Sequence, residues 1–208
     1  MAQVVAVVMF NKVHRFTVVV PIPNSIAPDA VVKTLHAHSP LLTIQPLMHS
    51  WYQIPYDTLP EKVRHDSEHF ATRIRNADVV AYEIVETIAL IPGVGSWATK
   101  DIKFPGRFQN LPNGVKTSAN APGGVVVKGQ YRVEFRNGSE GDDIPHESAE
   151  SGWYLVEDTS VECSALMMPL VAWNLDSSHR GMLEKLLEDI HEKQGTLPTR
   201  PPTPPPKD

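Results

Sequence analysis

The strongest pattern in the chain is an alternation of apolar and polar residues that runs from Trp153 to Ala165. Every second residue belongs to one mostly apolar set, and a period of two is typical of a half-buried antiparallel strand. After Pro169, apolar residues recur at helical spacing until Gly195. This spacing predicts one long amphipathic helix from Pro169 to Lys193, because proline fits the first helical turn and glycine favours a helix end.

Upstream of this stretch, the same reasoning predicts further strands and two short helices near the start. Strand patterns cover residues 14–20, 47–54, 81–91, 98–104, 114–121 and 125–135. Pro28 and the pair Ser39-Pro40 are typical helix starts, and two glycines after Pro122 favour a tight turn between the last two strands. The order predicts an α+β helix-grip fold, in which an antiparallel sheet of about six or seven strands wraps around the C-terminal helix.

Composition favours a single globular domain. The 208 residues are 41% hydrophobic and 21% charged, which is ordinary for a folded protein of this size. We therefore predict one domain over residues 1–195, followed by a disordered proline-rich tail over residues 196–208. The net charge is −5 and the basic residues are scattered, so nucleic acid is not expected as a partner.

The same features bear on location. Cys163 is the only cysteine, so an internal disulfide is excluded and nothing indicates an oxidising compartment. Residues 1–10 lack the charged start of a secretory signal, and they are too few to cross a bilayer. We predict a cytoplasmic protein without a transmembrane segment.

The element order resembles the helix-grip fold of the START-like superfamily (SRPBCC), which includes pollen-allergen-type proteins, polyketide cyclases and lipid-transfer domains. Over residues 12–194 the chain is most similar to a family of uncharacterised filamentous-fungal proteins. The segments that carry this narrower resemblance are Leu166-Met-Met-Pro-Leu-Val, Ser178-His179-Arg180, Leu186-Leu187, Tyr82-Glu83-Ile84 and the Asn120-Ala-Pro-Gly123 turn. The resemblance implies a ligand, such as a lipid-like metabolite, held between sheet and helix.

Two acids and one histidine are the candidate catalytic residues. Glu86 and Glu157 each interrupt an otherwise apolar strand face. In a cavity, such an acid could hold a ligand hydroxyl or act as a general acid or base with a raised pKa, whereas a register irregularity would leave it in water. His49 shares a face with Trp51 and is the predicted partner of these acids, although it could also be a core residue bonded to the backbone.

Seven residues are candidates for contact with an apolar ligand, since they supply aromatic or adaptable surface or lie near a small-residue patch of the long helix. They are Trp51, Tyr82, Tyr131, Trp153, Met167, His179 and Met182. Trp51, Tyr82, Tyr131 and Trp153 should point to the helix side of the sheet, because each lies on the more apolar parity of its strand. Packing of an ordinary core is the alternative use of all seven.

Two short motifs bear on other partners. Residues 65–69 match the H-x-x-E-H pattern of zinc peptidases, but the segment is polar and weakly periodic, and no third ligand is evident. We predict no metal and no cofactor. In the tail, Pro202, Pro205 and Lys207 fit a weak ligand for SH3-type domains.

Three functions remain open from the sequence. Without a nucleophile–base pair, metal set or nucleotide loop, binding of a hydrophobic small molecule is favoured. The alternative is a cofactor-independent enzyme of the cyclase, isomerase or lyase type that acts on a fungal polyketide or terpenoid-like substrate, with polar residues that move protons. The third is an interaction module with a solid core.

Overall fold

Strands dominate the part of the chain that the structure describes, which comprises residues 10–64, 69–70, 79–89, 99–137, 151–172 and 175–195 of a computed structural model. The strands are β1 (Asn11–Pro21), β2 (Met48–Ile54), β3 (Val79–Ala89), β4 (Thr99–Leu111), β5 (Gly114–Ala121), β6 (Val125–Arg136) and β7 (Gly152–Ser164). They form one antiparallel sheet in the order β1-β7-β6-β5-β4-β3-β2. The predicted fold class is confirmed.

Helices begin at the predicted start signals Pro28 and Ser39, and a short helix that was not predicted follows β2. They are α1 (Pro28–His36), α2 (Ser39–Thr43), α3 (Glu61–Arg64), α4 (Met168–Ala172) and α5 (Leu175–Gly195). The helix predicted from Pro169 to Lys193 corresponds to α4 and α5, and residues 173–174 between them lie outside the described residues. None of the described helices is long and apolar enough to cross a lipid bilayer.

Helix α5 packs on the inner face of the sheet. Its apolar side buries Leu183, Leu186, Leu187 and Ile190 in one cluster with residues of β1, β3, β4, β6 and β7. Helices α1 and α2 add Val31, Leu35, Leu41 and Leu42 to the same cluster. The cluster explains why the helical spacing in the sequence persists to residue 190, since each of these positions meets the sheet.

The alternation in β7 has its predicted inner face, with Leu155, Thr159 and Val161 buried. Tyr154 and Val156, on the opposite parity, are buried as well. Charged side chains of β6 and β7 cover this outer face: Arg132 bonds both Glu134 and Asp158, and the Arg136 guanidinium lies 5.7 Å from the ring centre of Tyr154. Long charged side chains can shield apolar surface in this way.

The outer face of β4 and β5 is covered by the connection between β2 and β3. Arg107 on β4 is fully buried there, donating to the carbonyl oxygen of Val63 and to the Ser118 hydroxyl, with its guanidinium 4.9 Å from the Phe70 ring. His69, from the H-x-x-E-H pattern, bonds the Thr117 carbonyl oxygen through Nε2 at 2.8 Å. Residues 65–68 of that pattern and the proline-rich tail lie outside the described residues.

Candidate functional site

A buried carboxylate lies in the middle of β7 on the inner face. Glu157 has no exposed surface, and its Oε1 accepts hydrogen bonds from the Thr159 hydroxyl and from His179 Nδ1, each at 2.7 Å. The strand's period of two brings Thr159 to the same face, and helix α5 brings His179 over it. The prediction that Glu157 faces inward is confirmed, but its histidine partner is His179 and not His49.

The second oxygen of this carboxylate, Oε2, is buried without a hydrogen-bond partner among the described residues. Tyr131 on β6 is paired directly with Glu157. Burial, then the charge of the nearby Glu157 and then a hydrogen-bonding contact with its side chain raise the pKa of the Tyr131 hydroxyl well above its usual value, although this contact does not reach the geometry of a full hydrogen bond to Oε2. An unsatisfied buried acceptor costs about 1–3 kcal/mol, so Oε2 is the atom of this site that most needs a donor.

His179 is held at the site by packing. Its ring contacts Phe16 of β1 edge to face, with 5.0 Å between ring centres, and its side chain is 14% exposed. Met182 and Leu183, which lie one helical turn further along the same face, are also buried. The histidine therefore lies where helix and sheet meet, with a path to its ring from outside.

Gly129 on β6 leaves room beside these polar groups. A Cβ at this position would lie 2.8 Å from the Thr117 hydroxyl oxygen and 3.3 Å from the Thr159 hydroxyl oxygen. Both approaches are tighter than ordinary van der Waals contact. Glycine at 129 thus lets two hydroxyl-bearing side chains occupy the inner face next to Glu157.

A second polar cluster lies further along the inner face, where α1 meets α2. His38 is buried, with Nε2 2.8 Å from Asn110 Oδ1 and Nδ1 3.0 Å from the Tyr82 hydroxyl. With Oδ1 as the acceptor, Nε2 carries the proton and Nδ1 accepts from Tyr82. Burial lowers the pKa of His38 despite the opposing effect of the Asn110 bond, so the ring is neutral.

Aromatic rings surround this second cluster. Trp51 and Phe108 contact Tyr82 edge to face, at 5.7 and 5.4 Å between ring centres. Burial also raises the pKa of the Tyr82 hydroxyl. Trp51 and Tyr82 therefore lie on the helix side of the sheet as predicted, whereas His38 and Asn110 were not predicted from the sequence.

One predicted face assignment, that of His49, is wrong, and a second residue, Trp153, is more exposed than contact with an interior ligand requires. His49 is exposed, because the pairing of β2 with β3 shifts register between Met48 and Ser50, and such a shift turns a side chain to the other face. Trp153 keeps the inner parity of β7 but is 43% exposed at the strand end, where its ring packs on Phe135 at 5.5 Å between centres. Neither approaches Glu157 in the structure.

The remaining predicted residues are divided between core and periphery. Met182 is buried on α5, as stated above, and Tyr131 is buried on β6. Met167 is half-buried, and its sulfur lies 3.4 Å from the position that a Cβ on Gly123 would occupy. Met167 thus packs on the turn between β5 and β6, where Gly123 and Gly124 adopt positive φ.

Glu86 is separate from both clusters. It lies on β3 opposite Met48 and Ile102, is half-buried, and forms no hydrogen bond or ion pair with other described residues. Burial raises its pKa above the ordinary value of 4.5. The folded state therefore favours the protonated acid, and ionisation at neutral pH opposes folding.

Replacing Glu86 with glutamine is expected to stabilise the protein at pH 7, because the ionised acid is disfavoured in the fold. A raised folded-state pKa gives stability that is present below pH 4.5 and lost as the pH rises through the folded-state value, so the gain should shrink toward pH 4. Urea unfolding at pH 7 and pH 4 measures it. Glu83→Gln is the control, since Tyr52 and Lys103 lower the pKa of that acid, and a gain there would contradict the explanation.

The sheet, the helix lying across it and the polar groups between them define the class of helix-grip proteins. Within this class, the chain belongs to the family described as a domain of unknown function, DUF7053, whose model matches residues 11–192. No curated protein sequence matches the chain significantly.

Three solved structures are similar to the chain at low sequence identity, and the first of these supports the fold assignment. The di-domain ARO/CYC StfQ from the steffimycin biosynthetic pathway has a TM-score of 0.51 and 12% identity, and the match covers 89% of this chain and 53% of StfQ. Ara h 8.0201 has a TM-score of 0.49 and 9% identity, covering 87% of this chain and 99% of that one. A protein from Thermus thermophilus, TTHA0849, has a TM-score of 0.40 and 14% identity, covering 88% and 96%.

Proposed function

We propose that the protein binds a hydrophobic small molecule between the inner face of the sheet and helix α5. The observation that carries the proposal is Glu157, a fully buried carboxylate whose Oε2 has no partner among the described residues. Buried polar atoms in folded proteins are satisfied by protein, water or ligand. Tyr82, Tyr131 and Met182 would supply apolar wall, with Trp51, Met167, His179 and Trp153 nearer the periphery.

Titration with N-phenyl-1-naphthylamine, a neutral dye that fluoresces in apolar surroundings, tests this binding. We expect saturable binding of about one dye per chain and a rise in the melting temperature, because a ligand that binds only the folded state stabilises it. Linear, non-saturating fluorescence and an unchanged melting temperature would show that the interior takes no ligand.

Two tryptophan substitutions on α5 locate the bound dye. Met182→Trp enlarges a side chain on the buried face of the helix, whereas Glu184→Trp places the same group on the exposed face. Only the first should weaken dye binding, by about tenfold if the lost contact is worth about 1.4 kcal/mol. Equal effects of the two substitutions would place the dye outside the helix–sheet interface.

A cyclase-type enzyme is the second candidate, and the pairing of Glu157 with His179 favours it. An acid and an imidazole 2.7 Å apart can accept a proton from a substrate and return it later. In such a reaction Oε2 would take the proton from a carbon flanked by two carbonyl groups. The resulting enolate would attack a third carbonyl, and the new alkoxide would be protonated by Glu157. The ARO/CYC name of StfQ is consistent with this chemistry, although the likeness is one of fold.

Incubation with a synthetic β-polyketone separates the enzyme from the binding protein. An enzyme should produce a ring-closed product faster than buffer does, and Glu157→Gln should lose most of that acceleration while His179→Gln loses part of it. If the parent binds the polyketone and releases it unchanged, the protein is a carrier and not a cyclase of such substrates.

The domain organisation, the cellular location and the biological role of the protein can also be proposed. We propose one domain over residues 1–195 in a cytoplasmic protein of the filamentous-fungal type, acting in secondary metabolism. Pro202, Pro205 and Lys207 of the tail would add a weak SH3-type contact. These points depend on sequence patterns alone.

A further inference from the structure

We infer that the interior site selects hydrophobic molecules that present a hydrogen-bond donor, such as a hydroxyl group, and rejects carboxylates. This inference rests on the proposed binding function and specifies the class of ligand. It follows from the fact that Glu157 accepts its hydrogen bonds and from the positions of Arg132 and Arg107 on the outer face of the sheet.

Two donors are already engaged with one oxygen of Glu157, and the Tyr131 hydroxyl, which also interacts with this side chain, completes no hydrogen bond to Oε2. The Thr159 hydroxyl and His179 Nδ1 both donate to Oε1. Oε2 remains, and a carboxylate oxygen offers only acceptor lone pairs. A ligand that approaches Oε2 therefore contributes to the site only if it brings its own O–H or N–H group.

The other polar position of the inner face offers the same chemistry. The Tyr82 hydroxyl donates to Nδ1 of His38, whose Nε2 in turn bonds Asn110. Its single proton is therefore committed, and the Tyr82 oxygen retains acceptor capacity. Oε2 of Glu157 and the Tyr82 oxygen thus both offer acceptors to a molecule between sheet and helix.

The arginines of the neighbouring strands do not neutralise a ligand carboxylate. Arg132, next to Tyr131, lies on the outer face and bonds Glu134 and Asp158. Arg107 is bonded to Val63 and Ser118 on the outer face of β4. A ligand carboxylate would bring no donor to Oε2 and would lie beside the side-chain oxygens of Glu157.

Three naphthalenes of similar size test the inference by displacement of N-phenyl-1-naphthylamine at pH 7. We expect 1-naphthol, which carries a donor, to bind about tenfold or more tightly than 1-methoxynaphthalene, because its O–H group can satisfy the buried Oε2 and a methoxy oxygen cannot. Naphthalene-1-carboxylate should bind more weakly than 1-methoxynaphthalene. Equal affinities, or tighter binding of the carboxylate, would overturn the inference.

Glu157→Gln should reduce the preference for 1-naphthol over 1-methoxynaphthalene to about threefold or less, because the amide has one acceptor oxygen in place of two and its NH₂ group can itself donate. Its matched control is Glu162→Gln on the same strand, since Glu162 is exposed and bonded to Asn11. The control should keep the full preference, and loss of the preference in both variants would contradict a role of Glu157. The parent ligand series decides the inference even if Glu157→Gln does not fold.

The outcomes distinguish this inference from the proposed function. If the dye and all three naphthalenes fail to bind, the binding function itself is wrong. If all three bind with similar affinity, the protein binds apolar molecules but does not select for a donor.

Discussion

Replacing Gly114 with alanine is expected to destabilise the protein by about 3 kcal/mol or more. Gly114 begins β5, and a Cβ there would lie 1.9 Å from the Tyr131 backbone oxygen and 2.9 Å from the Cα of Arg132. Because these are backbone atoms of the adjacent strand, no rotamer change can relieve the overlap. Strands β5 and β6 would have to move apart. Strand β6 also pairs with β7, which carries Glu157.

Gly181→Ala on α5 is the control for that experiment. No atom lies within 4 Å of the Cβ that this substitution would add. Alanine should stabilise the helix by up to about 1 kcal/mol, since glycine is the poorer helix former. Urea unfolding of both variants measures the contrast, and a Gly114→Ala variant as stable as the parent would show that the two strands do not approach so closely.

Substitutions at His38 should have the second largest effect, because the residue combines a buried hydrogen-bond network with a strained backbone. Its φ is 58° and its ψ is −42°, and the Ser39 N–H donates to the Ala37 carbonyl oxygen at 2.6 Å across it. This is a γ-turn of the strained kind, which side-chain-bearing residues rarely adopt. His38→Ala should cost about 3 kcal/mol, since it retains the strain and leaves Tyr82 and Asn110 without their partner.

His38→Gly separates strain from hydrogen bonding. Glycine loses the same two bonds but adopts positive φ without steric cost, so it should be about 1 kcal/mol more stable than the alanine variant. At most other positions a glycine variant is less stable than the corresponding alanine variant. An alanine variant that equals or exceeds the glycine variant would mean that the backbone at residue 38 is relaxed in solution.

His38 should also affect how the free energy of unfolding of the parent protein depends on pH. Because burial lowers the pKa of His38 below its ordinary value of 6.5, the unfolded state binds more protons in the range below 6.5. The free energy of unfolding should therefore fall as the pH is lowered through that range. In His38→Ala the slope should be shallower, and identical slopes would contradict a buried neutral ring.

Much of the scaffold of the site follows from local sequence patterns. The period of two in β7 predicts Glu157 on the inner face, and the helical spacing predicts the buried side of α5 correctly. The glycines after Pro122 mark the turn at which Gly123 and Gly124 adopt positive φ. In each case the signal extends over neighbouring residues and depends only on burial or on backbone freedom.

The contacts that make the site lie beyond such patterns. His179 meets Glu157 because α5 crosses the sheet at one particular place, and no local periodicity specifies that crossing. The prediction for His49 is wrong because the register of β2 shifts between Met48 and Ser50. Residues before the shift face the side opposite to the one that counting back from Trp51 predicts. The γ-turn at His38 involves the conformation of a single residue. The start signals at Pro28 and Ser39 predict the helices on either side of it but give no indication of the turn itself.

The strand order also has a consequence for synthesis on the ribosome. Among the described strands, β1 pairs with β7 alone, as in the contact between Thr17 and Asp158, which lie 141 residues apart. At about 5–20 residues per second, roughly 7–28 s pass between translation of these two partners. During that interval Phe16, Val18 and Val20 await the strand and helix that finally bury them. The nascent chain therefore presents a β-prone apolar segment for much of its translation, and we expect chaperones that hold such segments to increase its yield.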